Sequence, residues 1–151
     1  MSNLQVKFDD KALKQLKAKL KSVQIVVGLP KGTRSHDESG ESLIEIGATH
    51  EFGSRTKGIP ERSFIRSTIN ESVEEYKKVS QTQAVHFLEG KQSLDATVEK
   101  IGIWGQSKIK KKFRNNNWAP NSRTTIALKG SSRPLIDTGQ LLQSITWEVK
   151  K

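Results

Sequence analysis

Two segments punctuated by glycine and proline, 49–66 and 118–145, bracket a long stretch whose apolar side chains recur at helical spacing. Ile69, Val73, Tyr76, Ser80, Ala84 and Phe87 step by three or four, which predicts one helix over 64–89 with Gly90 at its C′ position. Ser93 is placed to cap a second long helix to about residue 113, with Leu94, Val98, Ile101, Trp104 and Ile109 facing inward. Gly102 and Gly105 interrupt that helix. Each costs about 1 kcal/mol against alanine, so their presence points to close approach of another backbone.

The chain ends read differently. Leu4, Val6 and Phe8 alternate with polar residues, predicting a strand near 3–8. Asp9 and Asp10 offer caps for a helix carrying Leu13, Leu16 and Leu20. The β-branched run at 23–27 predicts a second strand near 22–28, ended by Gly28 and Pro30, and Ile145, Trp147 and Val149 predict a closing strand near 145–150. Short helices are expected at 41–52, from Ser122 to Gly130, and after Gly139, where Asp137 or Thr138 is placed to cap. The expected class is α+β: a small sheet of three or so short strands packed against two long helices and several short ones. One domain over 1–151 accommodates this, with flexible loops near 29–40 and 53–63.

Hydrophobic residues make up 33 % of the chain and the mean hydropathy is −0.61. That supplies a modest core with little surplus, so an oligomer is expected to complete the burial. There is no cysteine, which excludes a disulfide framework, a thiolate zinc site and thiol catalysis. The sequence holds neither a run of membrane-spanning length nor a signal-peptide pattern, and a soluble protein made in a cytoplasm is expected.

The net charge of +10 is regional. Residues 1–99 are nearly balanced, whereas 100–151 hold 11 basic and 2 acidic side chains. Such asymmetry points to an acidic partner, either nucleic acid or an acidic protein surface. The run Lys108, Lys110, Lys111, Lys112, Phe113, Arg114 is the best candidate for that contact. On a helix it fans around much of the circumference, so only part of it would face one duplex.

Three chemical motifs are approached and refused. The LIDTG run at 135–139 resembles the active-site loop of retropepsin-like proteases, but only 12 residues follow Gly139 and its flanks read as helix. His50 and Glu51 lack the second histidine of HExxH, since position 54 is Ser. Neither KGTR nor KGSS has the spacing of a phosphate-binding loop. No catalytic residue, metal ligand or cofactor is therefore expected.

The two punctuated segments resemble the virion-morphogenesis and tail-completion proteins of tailed bacteriophages. The resemblance rests on His50-Glu51-Phe52-Gly53, on Ile59-Pro60-Glu61-Arg62-Ser63-Phe64-Ile65-Arg66, and on Asp137-Thr138-Gly139-Gln140-Leu141-Leu142-Gln143-Ser144-Ile145. Trp118, Pro120, Thr125 and Lys129-Gly130-Ser131 lead into the last. The resemblance implies a non-enzymatic virion protein at the head–tail junction or the top of the tail, working as a homo-oligomeric ring, hexameric by analogy. Its implied partners are the neighbouring connector, tail terminator or tail tube proteins and the DNA in the channel. His50, Glu51, Phe52, Gly53, Ile59, Pro60, Arg62 and Phe64 are expected to form one contact surface, and Leu135, Ile136, Asp137, Thr138, Gly139 and Leu141 a second. The alternative is a basic, sequence-independent nucleic-acid-binding module using 108–114.

Overall fold

A computed structural model describes residues 23–37, 39–115, 118–121 and 139–150, together with Lys14, Ala18, Arg123, Ile126 and Ala127. Strand β1 (Gln24–Gly28) pairs antiparallel with β2 (Thr146–Lys150), in register from Gln24 opposite Lys150 to Gly28 opposite Thr146. Between them run helices α1 (Leu43–Phe52), α2 (Arg66–Glu71), α3 (Val73–Leu88), α4 (Leu94–Asn115) and α5 (Gln140–Ser144). The class is α+β. The described sheet has two strands, not three, and the strand expected near 3–8 lies outside the described residues, as does the segment 1–13 as a whole.

Helix α4 is the axle of the fold. Val98, Gly102, Ile109 and Phe113 are buried along it, at the spacing of one helical face. Val27 and Trp147 are cross-strand partners, so their side chains share the sheet face that meets this helix. A Cβ added at Gly102 would overlap the Trp147 indole, and one at Gly105 would come within 3.0 Å of Val27 Cγ2. Both glycines do mark a close approach, but what approaches is a pair of sheet side chains, not a second backbone. Gly102→Val is accordingly expected to destabilise the fold by about 2 kcal/mol or more, in the upper range for overpacked cores. Urea unfolding monitored by Trp fluorescence, with an unchanged slope and a lowered midpoint, checks this.

The core continues past the sheet as Leu43, Phe64, Ile109, Phe113, Leu141 and Ile145, with Val27, Leu29, Ile46, Ile65, Trp118 and Leu142 packed around them. Phe64 and Phe113 meet edge to face with centroids 5.0 Å apart, the favoured geometry for aromatic quadrupoles.

The single helix expected over 64–89 is broken at Ser72, whose amide is shared between the carbonyls of Thr68 and Ile69. Just before the break, the Thr68 hydroxyl donates to the Phe64 carbonyl and the Ser67 hydroxyl to that of Ser63. Such back-bonding loosens the helical ladder and favours a bend. The far end is as expected: Gly90 has φ 71°, its amide bonds to Phe87, and Lys91 bonds to His86, a Schellman closure. Ser93 caps α4 through its Oγ, which accepts from the Ala96 amide at 3.1 Å.

Burial on α2 and α3 departs from the sequence pattern. Ile69, Val73 and Tyr76 are exposed, and α3 holds no buried residue. Its periodicity is met on the side of α4, where Tyr76 tilts onto Trp104 at 6.0 Å.

Candidate subunit-contact site

The motif residues at 50–66 are locked to one another by a polar clasp. Glu51, the penultimate residue of α1, is buried and turned into the fold. Its carboxylate accepts from the Ser63 hydroxyl at 2.8 Å, the Ile65 amide at 2.8 Å, the Arg66 amide at 3.0 Å and Arg66 Nε at 3.1 Å. A carboxylate is thereby fixed at the first turn of α2, where orphan amides and the helix dipole favour negative charge. Arg66 also reaches the Glu51 carbonyl and the Glu61 carboxylate.

Arg62 forms the second half of the clasp. It is buried, and it donates to the Ala119 carbonyl from Nε (3.1 Å) and Nη2 (3.0 Å). Nη2 also reaches the Pro120 carbonyl and Asn121 Oδ1, while Nη1 donates to His50 Nδ1 at 3.2 Å. Burial holds the guanidinium below its ordinary pKa. Through Arg62 the 50s segment grips the 118–121 segment, and Trp118 Nε1 closes the join onto the Phe113 carbonyl. Two stretches far apart in sequence are thus joined by hydrogen bonds.

The loop between Gly53 and Pro60 is a small hairpin. Ser54 and Ile59 exchange both backbone hydrogen bonds, at 2.8 and 2.9 Å, around the turn Arg55–Gly58. Gly53 has φ 71°, and an added Cβ would lie 2.9 Å from the Glu61 amide, so the chain reversal needs glycine there. Loop 29–40 is likewise tied: Ser35 and Ser42 form a bridge, and the Asp37 amide donates to Gln140 Oε1 at 3.0 Å.

The expected contact residues therefore separate. Phe52, 62 % exposed, and Pro60 lie on the outside, and the Arg66 guanidinium stacks on the Phe52 ring at 4.6 Å. His50, Gly53 and Ile59 are half-buried. Phe64, by contrast, is fully buried in the core, which corrects its expected place on a contact surface. Glu51, Arg62 and Leu141 are also interior. Gly139 is the N-cap of α5, with φ 76°. Leu135, Ile136, Asp137 and Thr138 lie outside the described residues.

The basic run is divided by the helix. Lys108 pairs with Glu75 at 2.5 Å and lies over the Trp104 ring, and Lys112 pairs with Glu71 at 2.6 Å. Both tie α4 to α2 and α3, along a cleft of about 250 Å³ that Lys111 also lines. Lys110 and Arg114 sit a turn apart on another face. Burial, and then the neighbouring Arg114 charge, hold the Lys110 ammonium below the usual lysine pKa.

Sequence reasoning missed the clasp's architecture, above all the role of Arg66 in joining Glu51, Glu61 and Phe52. The dense polar spacing of the 61–66 segment was the available signal. Among the described residues no cluster of three or more His, Asp or Glu side chains is arranged to hold a metal ion, and no helix is long and apolar enough to cross a membrane. Comparison of the chain with protein families, with curated proteins and with solved structures gives no match.

Proposed function

We infer that the chain is a structural virion protein of a tailed phage, acting in tail completion or as a neck connector at the head–tail junction or the top of the tail. It assembles as a homo-oligomeric ring, hexameric by analogy, around the DNA channel. Its neighbours are connector, tail terminator or tail tube proteins. The observation that carries this reading is the clasp: buried Glu51 and Arg62 spend their hydrogen bonds on backbone and neighbouring side chains, and so hold Phe52 and Pro60 rigidly at the surface. A preorganised, exposed aromatic at the end of a fixed helix suits a repeated docking contact. Ile69, Val73, Val85, Leu88 and Ile103 add further exposed apolar area of the kind that partners cover.

One observation favours the second reading, a sequence-independent nucleic-acid-binding module. Lys110, Lys111 and Arg114 stand outside the ion pairs that engage Lys108 and Lys112. Mixing the purified chain with connector or tube protein and imaging the product tests the first reading, for which rings are expected. Tight duplex binding by the isolated chain, lost steeply with salt and abolished by Lys110→Glu with Lys111→Glu, would favour the module instead.

A further inference from the structure

Two outward-facing stripes of the subunit carry complementary side chains at identical spacing. The first comprises Glu45, Ala48 and Phe52 on the outer face of α1, with Glu41 two residues before the helix begins; all four are exposed. The second comprises Ile103, Ser107, Lys110 and Arg114 on α4, exposed except for half-buried Lys110. Each steps by four, three and four. The inner face of α1 is occupied by Leu43, Gly47 and Glu51. On α4 one face meets the sheet and core, and another, through Trp104, Lys108 and Lys112, meets α2 and α3. The second stripe is the remaining face.

We propose that α1 of one copy packs antiparallel against the outer face of α4 in the next copy, placing Phe52 on Ile103, Ala48 by Ser107, Glu45 by Lys110 and Glu41 by Arg114. This proposal rests on the ring reading above and specifies how its subunits meet. The antiparallel direction is fixed by chemistry, because the parallel alignment sets Glu41 on Ile103 and Phe52 on Arg114. The small pair at the centre lets the helices approach to the 8–10 Å of ordinary helix packing, and its helical part, Glu45 to Phe52 against Lys110 to Ile103, runs about 10 Å along both axes.

Charge supports the assignment. Glu41, Glu45, Lys110 and Arg114 all lie outside the ion pairs found among the described residues. Lys110 and Arg114 repel each other across one turn, and an incoming carboxylate relieves that repulsion. The two stripes are different surfaces of one subunit, so the contact is heterologous and propagates from copy to copy until it closes.

The absence of cysteine makes the contact directly testable. Ala48→Cys and Ser107→Cys change two exposed small residues, and helices packed through them bring the Cα atoms near the roughly 4.4–6.8 Å that a disulfide spans. Oxidising a mixture of the two variants is expected to give covalent dimers, whereas each variant alone gives none. Both substitutions in one chain are expected to give a ladder ending at the ring's copy number. Placing Glu45→Lys in the Ala48→Cys partner should lower cross-linking about tenfold or more, and Lys110→Glu in the Ser107→Cys partner should restore it. Circular dichroism confirms that each variant is folded.

Equal cross-linking in the single-variant samples, or none in the mixture, overturns the proposal. Where the mixture stays uncross-linked yet rings still form, the ring reading survives and only this contact is wrong. No assembly with or without connector and tube proteins sinks both. Loss of duplex binding in Lys110→Glu, with Glu45→Lys leaving cross-linking untouched, gives the α4 face to nucleic acid and overturns the contact between copies.

Discussion

Phe64→Ala is expected to destabilise the subunit by about 3–5 kcal/mol, the range for removing a buried Phe. Its ring is fully enclosed, stands edge to face on Phe113 at 5.0 Å, and shares a cluster with Leu43, Ile109, Leu141 and Ile145. A domain of ordinary stability holds only about 5–15 kcal/mol in all, so a large part of the margin goes with this one side chain. Guanidinium unfolding of the wild type and variant measures it directly. Phe64→Asp buries an unpaired charge at the same place and is expected to leave the chain unfolded. Phe52→Asp serves as the contrast. Its ring is exposed, so the melting curve should stay close to wild type while ring formation is lost. If Phe64→Ala unfolds like the wild type, the core described here is wrong.

Glu51→Ala is the second large effect, expected to cost about 3 kcal/mol. Its carboxylate serves two backbone amides, those of Ile65 and Arg66, as well as the Ser63 hydroxyl and Arg66 Nε. Removing it leaves buried donors unpaired, at about 1–3 kcal/mol for each fully buried group. The ion pair contributes less, because the Arg66 side chain is about half exposed and solvent screens it. Glu51→Gln retains one acceptor oxygen and the side-chain shape, so about half of the loss should return. Hydrogen exchange locates the damage: protection is expected to fall first at the Ile65 and Arg66 amides, before the α4 amides respond.

Several elements were legible because their signals are local. Gly90 and Ser93 end and begin helices by chemistry confined to a few residues, and both act as the sequence suggests. The β-branched run at 23–27 and the alternation around Trp147 marked the two strands of the described sheet. Other features depend on distant partners. The break at Ser72 follows back-bonding at Ser67 and Thr68, and is flanked by the ties from Glu71 and Glu75 to α4, none of which alters the apolar period. Ile69 on α2 and Val73 and Tyr76 on α3 keep helical spacing yet stay exposed, since both helices lie outside α4 with nothing described beyond them.

The candidate site was legible as a set of residues but not as an arrangement. Phe52 and Phe64 look alike in sequence, two aromatics in turn-rich surroundings. Only the path of the chain through Gly53, the Arg55–Gly58 turn and the Arg62 anchor sends one outward and the other into the core. Polar residues such as Glu51 and Arg62 read as surface groups until their partners are known, because burial of a charge is decided by pairing. The basic run divides in the same way. Its lysines are contiguous in sequence, but two of them serve the fold and are already neutralised.

The central claim is that this chain is built to be a repeated part of a particle. Electron cryomicroscopy of the virion in which we place it, at the head–tail junction, tests this proposal most directly. The expected result is a ring of copies around the DNA channel, with Phe52 and the α1 stripe at the seam between neighbours. A reconstruction at side-chain resolution, with every neck and upper-tail density assigned to other chains, would contradict it.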